Sequence, residues 1–184
     1  MHAMSDDFLL RTPRLLLRPH RPDDAPFMVE LNADPEVVRY TGDTAFGRLA
    51  EAEEVIALLM RQYAERRMGR FMVVERESGQ RLGFCGLKLL PDGEVDLGYR
   101  LLRSAWGQGL ATEASRACLD YGFGELELRR IVADVMPQNS ASLRVVAKLG
   151  FTLEGPRHED GMDLLRFALH APDGPLSTPA PRTR

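Results

Sequence analysis

Apolar and polar positions along the chain change period several times, and the changes mark out its elements. Within residues 50–67, Val55, Ile56, Leu59 and Tyr63 recur at i, i+1, i+4 and i+8, the stripe of an amphipathic helix. Glu51, Glu53 and Glu54 stand near its start and Arg61, Arg66 and Arg67 near its end, which suits the helix dipole. Gly69 is the predicted stop. Beyond it the period falls to two. Residues 70–75, 81–90 and 94–102 read as strands, separated by Ser78-Gly79 and by Pro91-Asp92-Gly93. In the third, Val95, Leu97, Tyr99 and Leu101 alternate with Asp96, Gly98, Arg100 and Leu102. The three strands predict an antiparallel meander.

Near the N-terminus, Leu15-Leu16-Leu17 between Arg14 and Arg18 predicts a short strand stopped by Pro19. Asp23 or Asp24 is placed to cap a helix through Phe27, Met28 and Leu31 to Ala33, broken at Asp34-Pro35. After the meander, Gly107-Gln108-Gly109 opens a second helical pattern. Leu110, Ala114, Ala117, Cys118 and Tyr121 form its apolar face, and Gly122 and Gly124 its predicted end. Residues 130–136 read as a strand. Asn139 or Ser140 caps a helix with Leu143, Val146, Ala147 and Leu149 on one face, closed by Gly150. A strand starts at Phe151-Thr152-Leu153, residues 156–163 read as a loop, and residues 164–170 as the last strand. Strands on both sides of the glycine-opened helix predict an α/β chain with a mixed sheet. The unit from 94 to 135 predicts a right-handed crossover between parallel neighbours. Pro172, Pro175, Pro179 and Pro181 dominate the end, so one domain over 8–170 and a disordered tail over 171–184 are expected.

Composition narrows the function classes. A chain of 184 residues with net charge -3 suits a single domain and does not favour broad nucleic-acid binding. Cys85 and Cys118 have no CxxC partner and no clustered histidines, which argues against structural zinc and a disulfide framework. A metal is not expected, and a reducing cytoplasm is the simplest setting. No apolar run approaches the roughly 18 residues of a membrane span, and the first residues lack the layout of a signal peptide. Met4 offers a second start, which would make Met1 to Ala3 an extension.

The candidate chemistry lies at the glycine turn. A helix opening after Gly107-Gln108-Gly109 presents unpaired N–H groups and the positive end of its dipole, a seat for phosphate. No G-x-x-x-x-G-K-[ST] string occurs. The dinucleotide pattern G-x-G-x-x-G/A needs a small residue at Thr112, whereas the alanine is at 111. A bare strand-to-helix turn is the bland alternative. The surroundings point elsewhere. Gly98-Tyr99-Arg100-Leu101 followed by Trp106-Gly107-Gln108-Gly109-Leu110-Ala111-Thr112-Glu113-Ala114 resembles the acetyl-CoA-binding motif of the GNAT superfamily of N-acetyltransferases, most closely its RimJ/RimL-like branch. Thr12-Pro13-Arg14-Leu15-Leu16-Leu17-Arg18-Pro19 resembles that branch's opening strand, Asn139-Ser140-Ala141-Ser142 its N-x-x-S segment, and Lys148-Leu149-Gly150-Phe151 with Glu154-Gly155 its ending. Asp163 before an apolar strand fits the domain's close. The resemblance covers about residues 9 to 170. One departure is Trp106, which stands where the wider superfamily pattern has Gln or Arg.

The resemblance implies an α/β (α+β) fold with a mostly antiparallel sheet, flanked by helices, and a splayed strand pair that forms the acetyl-CoA cleft. It implies acetyl transfer to a primary amine, either a protein N-terminus or a small molecule, with acetyl-CoA as co-substrate. A homodimer is common among relatives. The coenzyme's pyrophosphate would lie on Trp106, Gly107, Gln108, Gly109, Leu110, Ala111 and Thr112. Its pantetheine arm would pair near Leu101 and Leu102, with Asn139 and Ser142 on the far side. A lysine-type amine has a pKa near ~10.4 and an α-amine near ~8, so a proton acceptor is required. Asp96 occupies the position of the family's strand acid. Ser142 or a nearby tyrosine is the candidate donor to the leaving thiolate, and an N–H of Leu101 or Leu102 the oxyanion support. Each residue has a plainer alternative: a solvated or salt-bridged Asp96, and Asn139 and Ser142 serving only the helix start. Cys85 raises an acetyl-cysteine route but reads as core, as Cys118 does. His158 reads as a loop residue that could border the acceptor pocket; His2 and His20 carry no signal. Asp43, Glu159 and Asp160 are placed to draw a cationic acceptor. A non-catalytic CoA-binding domain of the same fold is the second reading.

Overall fold

The computed structural model describes residues 10–42 and 47–172. The expectations for Met1 to Ala3, His2, Asp43 and the tail beyond 172 fall outside those residues. The elements run β1 (Leu10–Arg11), β2 (Leu15–Arg18), α1 (Ala25–Ala33), α2 (Pro35–Val38), α3 (Leu49–Arg66), β3 (Arg70–Glu75), β4 (Arg81–Leu89), β5 (Val95–Leu101), α4 (Leu110–Gly124), β6 (Arg130–Val135), α5 (Ser140–Leu149), β7 (Thr152–Glu159) and β8 (Met162–His170). The strands form one sheet in the order β1-β2-β3-β4-β5-β6-β8-β7. Every neighbouring pair is antiparallel except β5 and β6, which are parallel.

Strand alternation sends side chains to two cores. Leu15, Leu17, Phe71, Val73, Cys85, Leu87, Leu97 and Leu101 pack with Leu110, Ala114, Cys118 and Tyr121 of α4 and with Val146 and Leu149 of α5. On the other face Met72 meets Phe27, Met28 and Leu31 of α1 and Ala52 and Ile56 of α3. The mixed sheet is what the sequence patterns predicted, and helices flanking it are what the resemblance implied; here they cover both faces.

Several local expectations are corrected. Gly122 does not end α4; it lies inside the helix, where an added Cβ would stand 2.7 Å from Leu87 Cδ1 and 2.9 Å from Ile131 Cδ1. It is there so that the helix can approach the sheet. Arg67, in the left-handed region at φ 54°, ends α3 instead of Gly69. Residues 156–159 are strand, not loop, because they pair with β8 up to the turn at Asp160-Gly161. Asp24 does not cap α1 with its side chain. Its carboxylate is fully buried and accepts from Arg18 Nη1 and Nη2 (2.8 and 2.7 Å), Arg81 Nε (2.8 Å) and the Arg21 N–H (2.8 Å). It therefore fastens β2, β4 and the turn before α1 to one another.

His20 lies beside this hub, 2% exposed, with Nδ1 4.0 Å from Asp24 Oδ2. Burial pushes its imidazole down from 6.5 to about 4, against the pull of Asp24. A depressed histidine favours the neutral, folded form. Its contribution is complete above pH 6.5 and is lost as pH falls from there to about 4. A drop of that size corresponds to about 3 kcal/mol. Urea melts from pH 7 to 4 should show stability falling by roughly that amount, and His20→Asn should remove most of the slope. An unchanged slope in the variant would assign the loss to other groups.

Candidate active site

Each inner strand is held by its antiparallel neighbour, and this parts β5 from β6. β5 pairs with β4 from Leu89↔Val95 to Gly83↔Leu101, and β6 with β8 from Arg130↔His170 to Val135↔Leu165. Between them β5 and β6 share one bridging pair, Asp96↔Val132. Past that pair the strands diverge around a cavity of about 100 Å³, whose wall includes Tyr40, Gly98, Tyr99, Asp134, Asn139 and Ser142. The open edge of β5 is fixed by the ladder. Leu102 gives its N–H to Leu82 O (2.8 Å), and its carbonyl accepts from Ala105 (3.0 Å). Main-chain groups alternate in direction along a strand, so those of Leu101 face the parting and those of Leu102 do not.

Asn139 caps α5 with Oδ1, which accepts the Ser142 N–H at 3.1 Å. That cap positions the Ser142 hydroxyl, whose Oγ lies 2.9 Å from Tyr99 Oη. The pair spans the cleft from α5 to β5. Burial pushes the Tyr99 phenol up, with the Ser142 contact pulling the other way. The phenol is thus protonated at neutral pH and able to donate.

At the end of β5 the chain makes a short turn and then passes through Gly107 (φ 73°) and Gly109 (φ 78°), both left-handed. Side chains rarely tolerate that conformation. Gly109 starts α4 with no side-chain cap, so the first-turn N–H groups face outward. Trp106 donates its indole N–H to Leu101 O at 2.9 Å, and Gln108 Nε2 turns back to Ser104 O at 2.7 Å. What the turn offers an anion is therefore main-chain N–H. One cation adjoins it. Arg14, from the turn between β1 and β2, donates Nη1 to Gln108 O at 3.0 Å and Nε to Glu113 Oε2 at 2.7 Å.

Asp96 points to the α1 and α3 face, opposite Leu97 and Tyr99, as the strand parity predicted. Its carboxylate is ion-paired with Arg70, whose side chain crosses over Gly98; a Cβ there would lie 2.6 Å from Arg70 Nη2. Asp96 stands at the closed end of the parting. Asp134, two residues beyond its partner Val132, stands on the cavity wall and accepts from Arg166 Nε (2.9 Å) and Nη2 (2.6 Å). The alternation of β6 put Asp134 on the face of Val132. What the sequence lacked was the register, which decides that the strands part between the two acids.

The remaining candidates lie away from the cavity. His158 is in β7, exposed, with Nδ1 2.9 Å from Asp163 Oδ1. Glu159 is tied to Arg157 at 3.0 Å. Cys85 is fully buried with Sγ 3.8 Å from Cys118 Sγ, which answers the core expectation. Among the described residues no group of His, Cys, Asp and Glu is placed to hold a metal ion, and no helix is long and apolar enough to cross a membrane.

A parallel strand pair that opens beside outward-facing main-chain N–H groups offers room for an extended, phosphate-bearing ligand. Residues 14–152 match the acetyltransferase (GNAT) domain model, and the chain belongs to the GNAT acetyltransferase family. It is accordingly an acyltransferase of the N-acetyltransferase type that uses acetyl-CoA. The uncharacterized N-acetyltransferase p20 of Bacillus licheniformis is 35% identical over 148 residues, 79% of this chain and 83% of that one. The acetyltransferase from Agrobacterium tumefaciens str. C58, 29% identical, superposes with a TM-score of 0.77 over 92% of this chain and 98% of that one. Mycobacterium smegmatis RimJ, solved in complex with CoA-disulfide, is 27% identical, with a TM-score of 0.77 over 93% of this chain and 90% of that one.

Proposed function

We propose that the chain acetylates a primary amine, a protein N-terminus or a small molecule, by direct attack in a ternary complex, as a member of the RimJ/RimL-like branch. The cavity at the parting of β5 and β6 carries this reading, since a hydroxyl pair and a main-chain edge meet there and Asp134 forms part of its wall. Gly107, Gln108, Gly109, Leu110, Ala111 and Thr112 hold the pyrophosphate through main-chain N–H groups, with Trp106 as a side wall. The open edge at Leu101 takes the pantetheine amides as an added strand, and Asn139 bonds the arm from α5. Leu101 N–H supports the oxyanion as the amine nitrogen adds to the thioester carbon. As the C–S bond breaks, Ser142 gives its proton to the thiolate and is resupplied by Tyr99, which regains a proton from solvent as the products leave. The amine's proton leaves through water to Asp134, and Asp96 with Arg70 fixes the closed end of the parting. The free buried thiols suit a reducing cytoplasm.

The test is free-thiol release from acetyl-CoA with a panel of amines and peptides. Acceptor-dependent release is expected, and Ser142→Ala should lower kcat by about 10²-fold while leaving the CoA Kd unchanged. CoA binding without release across the panel would make the chain a non-catalytic CoA-binding domain. A burst of acetyl-enzyme without acceptor would overturn direct transfer.

A further inference from the structure

The donor's phosphates bring several negative charges to a helix end that offers only about +0.5. Residues 104–112 contain no lysine or arginine, and Arg103 lies 3.8 Å from Asp34. Glu113 adds a difficulty. A carboxylate in the first turn of α4 suits the helix dipole but repels a phosphate. Arg14 resolves both. Its Nε and Nη2 lie 2.7 Å from Glu113 Oε2, and its own N–H is 2.9 Å from Oε1, which the Thr12 hydroxyl also reaches at 2.6 Å. Nη1 bonds Gln108 O, and Nη2 lies 3.7 Å from where a Cβ on Gly109 would stand. The guanidinium is thus fixed against the glycine turn. Of its roughly five N–H donors these contacts engage three, and the side chain is 49% exposed.

We propose that Arg14 completes the phosphate subsite of the acetyl-CoA donor, as a cationic contact supplied by the β1–β2 turn and oriented by Glu113. This rests on the reading of the chain as an acetyl-CoA-dependent enzyme. It also explains why the seat functions with tryptophan at 106: the charge comes from a distant part of the chain. An arginine fork meets a phosphate in two directions, which a lysine cannot do.

Calorimetry with CoA, 3′-dephospho-CoA and pantetheine tests it on the full chain. Arg14→Gln keeps a hydrogen-bonding end toward Glu113 and Gln108 and removes the charge. It should weaken CoA about tenfold and leave pantetheine unchanged, with Arg14→Lys in between and kcat at saturating acetyl-CoA within about twofold of the parent. An equal loss for dephospho-CoA assigns the contact to the pyrophosphate, and a loss that vanishes assigns it to the 3′-phosphate; both support the proposal. A CoA Kd unchanged in both variants overturns it. So does pantetheine weakening in proportion, which would make Arg14 a tether for the turn. If Arg14→Gln fails to fold, the same comparison on Arg14→Lys decides. Failure of the parent chain to bind CoA would sink the acetyl-CoA reading itself and is thereby distinct.

Discussion

Asp24→Ala is expected to destabilise the protein by about 3–5 kcal/mol, the cost of removing one partner from a buried ion pair. Arg18, 11% exposed, would lose both of its carboxylate contacts, and Arg81 Nε and the Arg21 N–H would lose theirs. The melting temperature should fall by roughly 10–15 °C for a chain of this size. Asp23→Ala is the control. Asp23 is 68% exposed and meets Arg81 at the surface, so its loss should stay within about 0.5 kcal/mol. A melt of Asp24→Ala within about 2 °C of the parent would show that the hub contributes little. The pH behaviour separates this carboxylate from its neighbour. Burial by itself would raise the Asp24 carboxyl, yet hydrogen bonds from Arg18 and the Arg21 N–H hold it below its ordinary value. A depressed carboxylate stabilises above its unfolded pKa near ~3.9 and loses that contribution as pH falls through the folded one. The loss through Asp24 therefore follows the loss through His20 rather than overlapping it.

This hub also shows what local pattern can and cannot reveal. Asp24 before an apolar periodic run has the sequence signature of a helix cap. Nothing local shows that Arg18 and Arg81 reach it from two different strands. The same limit explains β7. Residues 156–159 are polar and contain Pro156, a pattern that reads as loop. They are strand because β8 pairs with them and because β7 is the sheet edge, where proline is tolerated. The elements that were legible carry their information within about ten residues. These are the helix stripe of α3, the period-two runs of β3 to β5, and the Asn139 and Gly150 caps of α5. The glycine turn was legible for the same reason. The cleft was only half so, because its opening depends on which strand each half of the pair follows.

The catalytic consequence of that register is the second large effect. Asp134→Asn is expected to lower kcat by about 10²-fold with the CoA Kd unchanged, and Asp96→Asn by about tenfold or less. Both carboxylates are bound to arginine and differ little in exposure, at 12% for Asp134 and 15% for Asp96, so burial does not choose between them. Position does. Asp96 is opposite Val132 in the last pair before the strands part, whereas Asp134 is two residues into the parting and on the cavity wall. A carboxylate offers about four acceptor directions. Arg166 occupies one on each oxygen of Asp134, so both oxygens can still accept from a water that has taken the amine's proton. The Asp134→Asn change keeps the side-chain volume and loses this capacity. Measured at saturating acetyl-CoA below the melting range of each variant, the ratio of the two losses is the decisive quantity. A hundredfold loss in Asp96→Asn beside near-normal turnover in Asp134→Asn would move the proton path to the closed end of the cleft. Arg70 would then have to release Asp96 during turnover, and Arg70→Lys should raise rather than lower the rate.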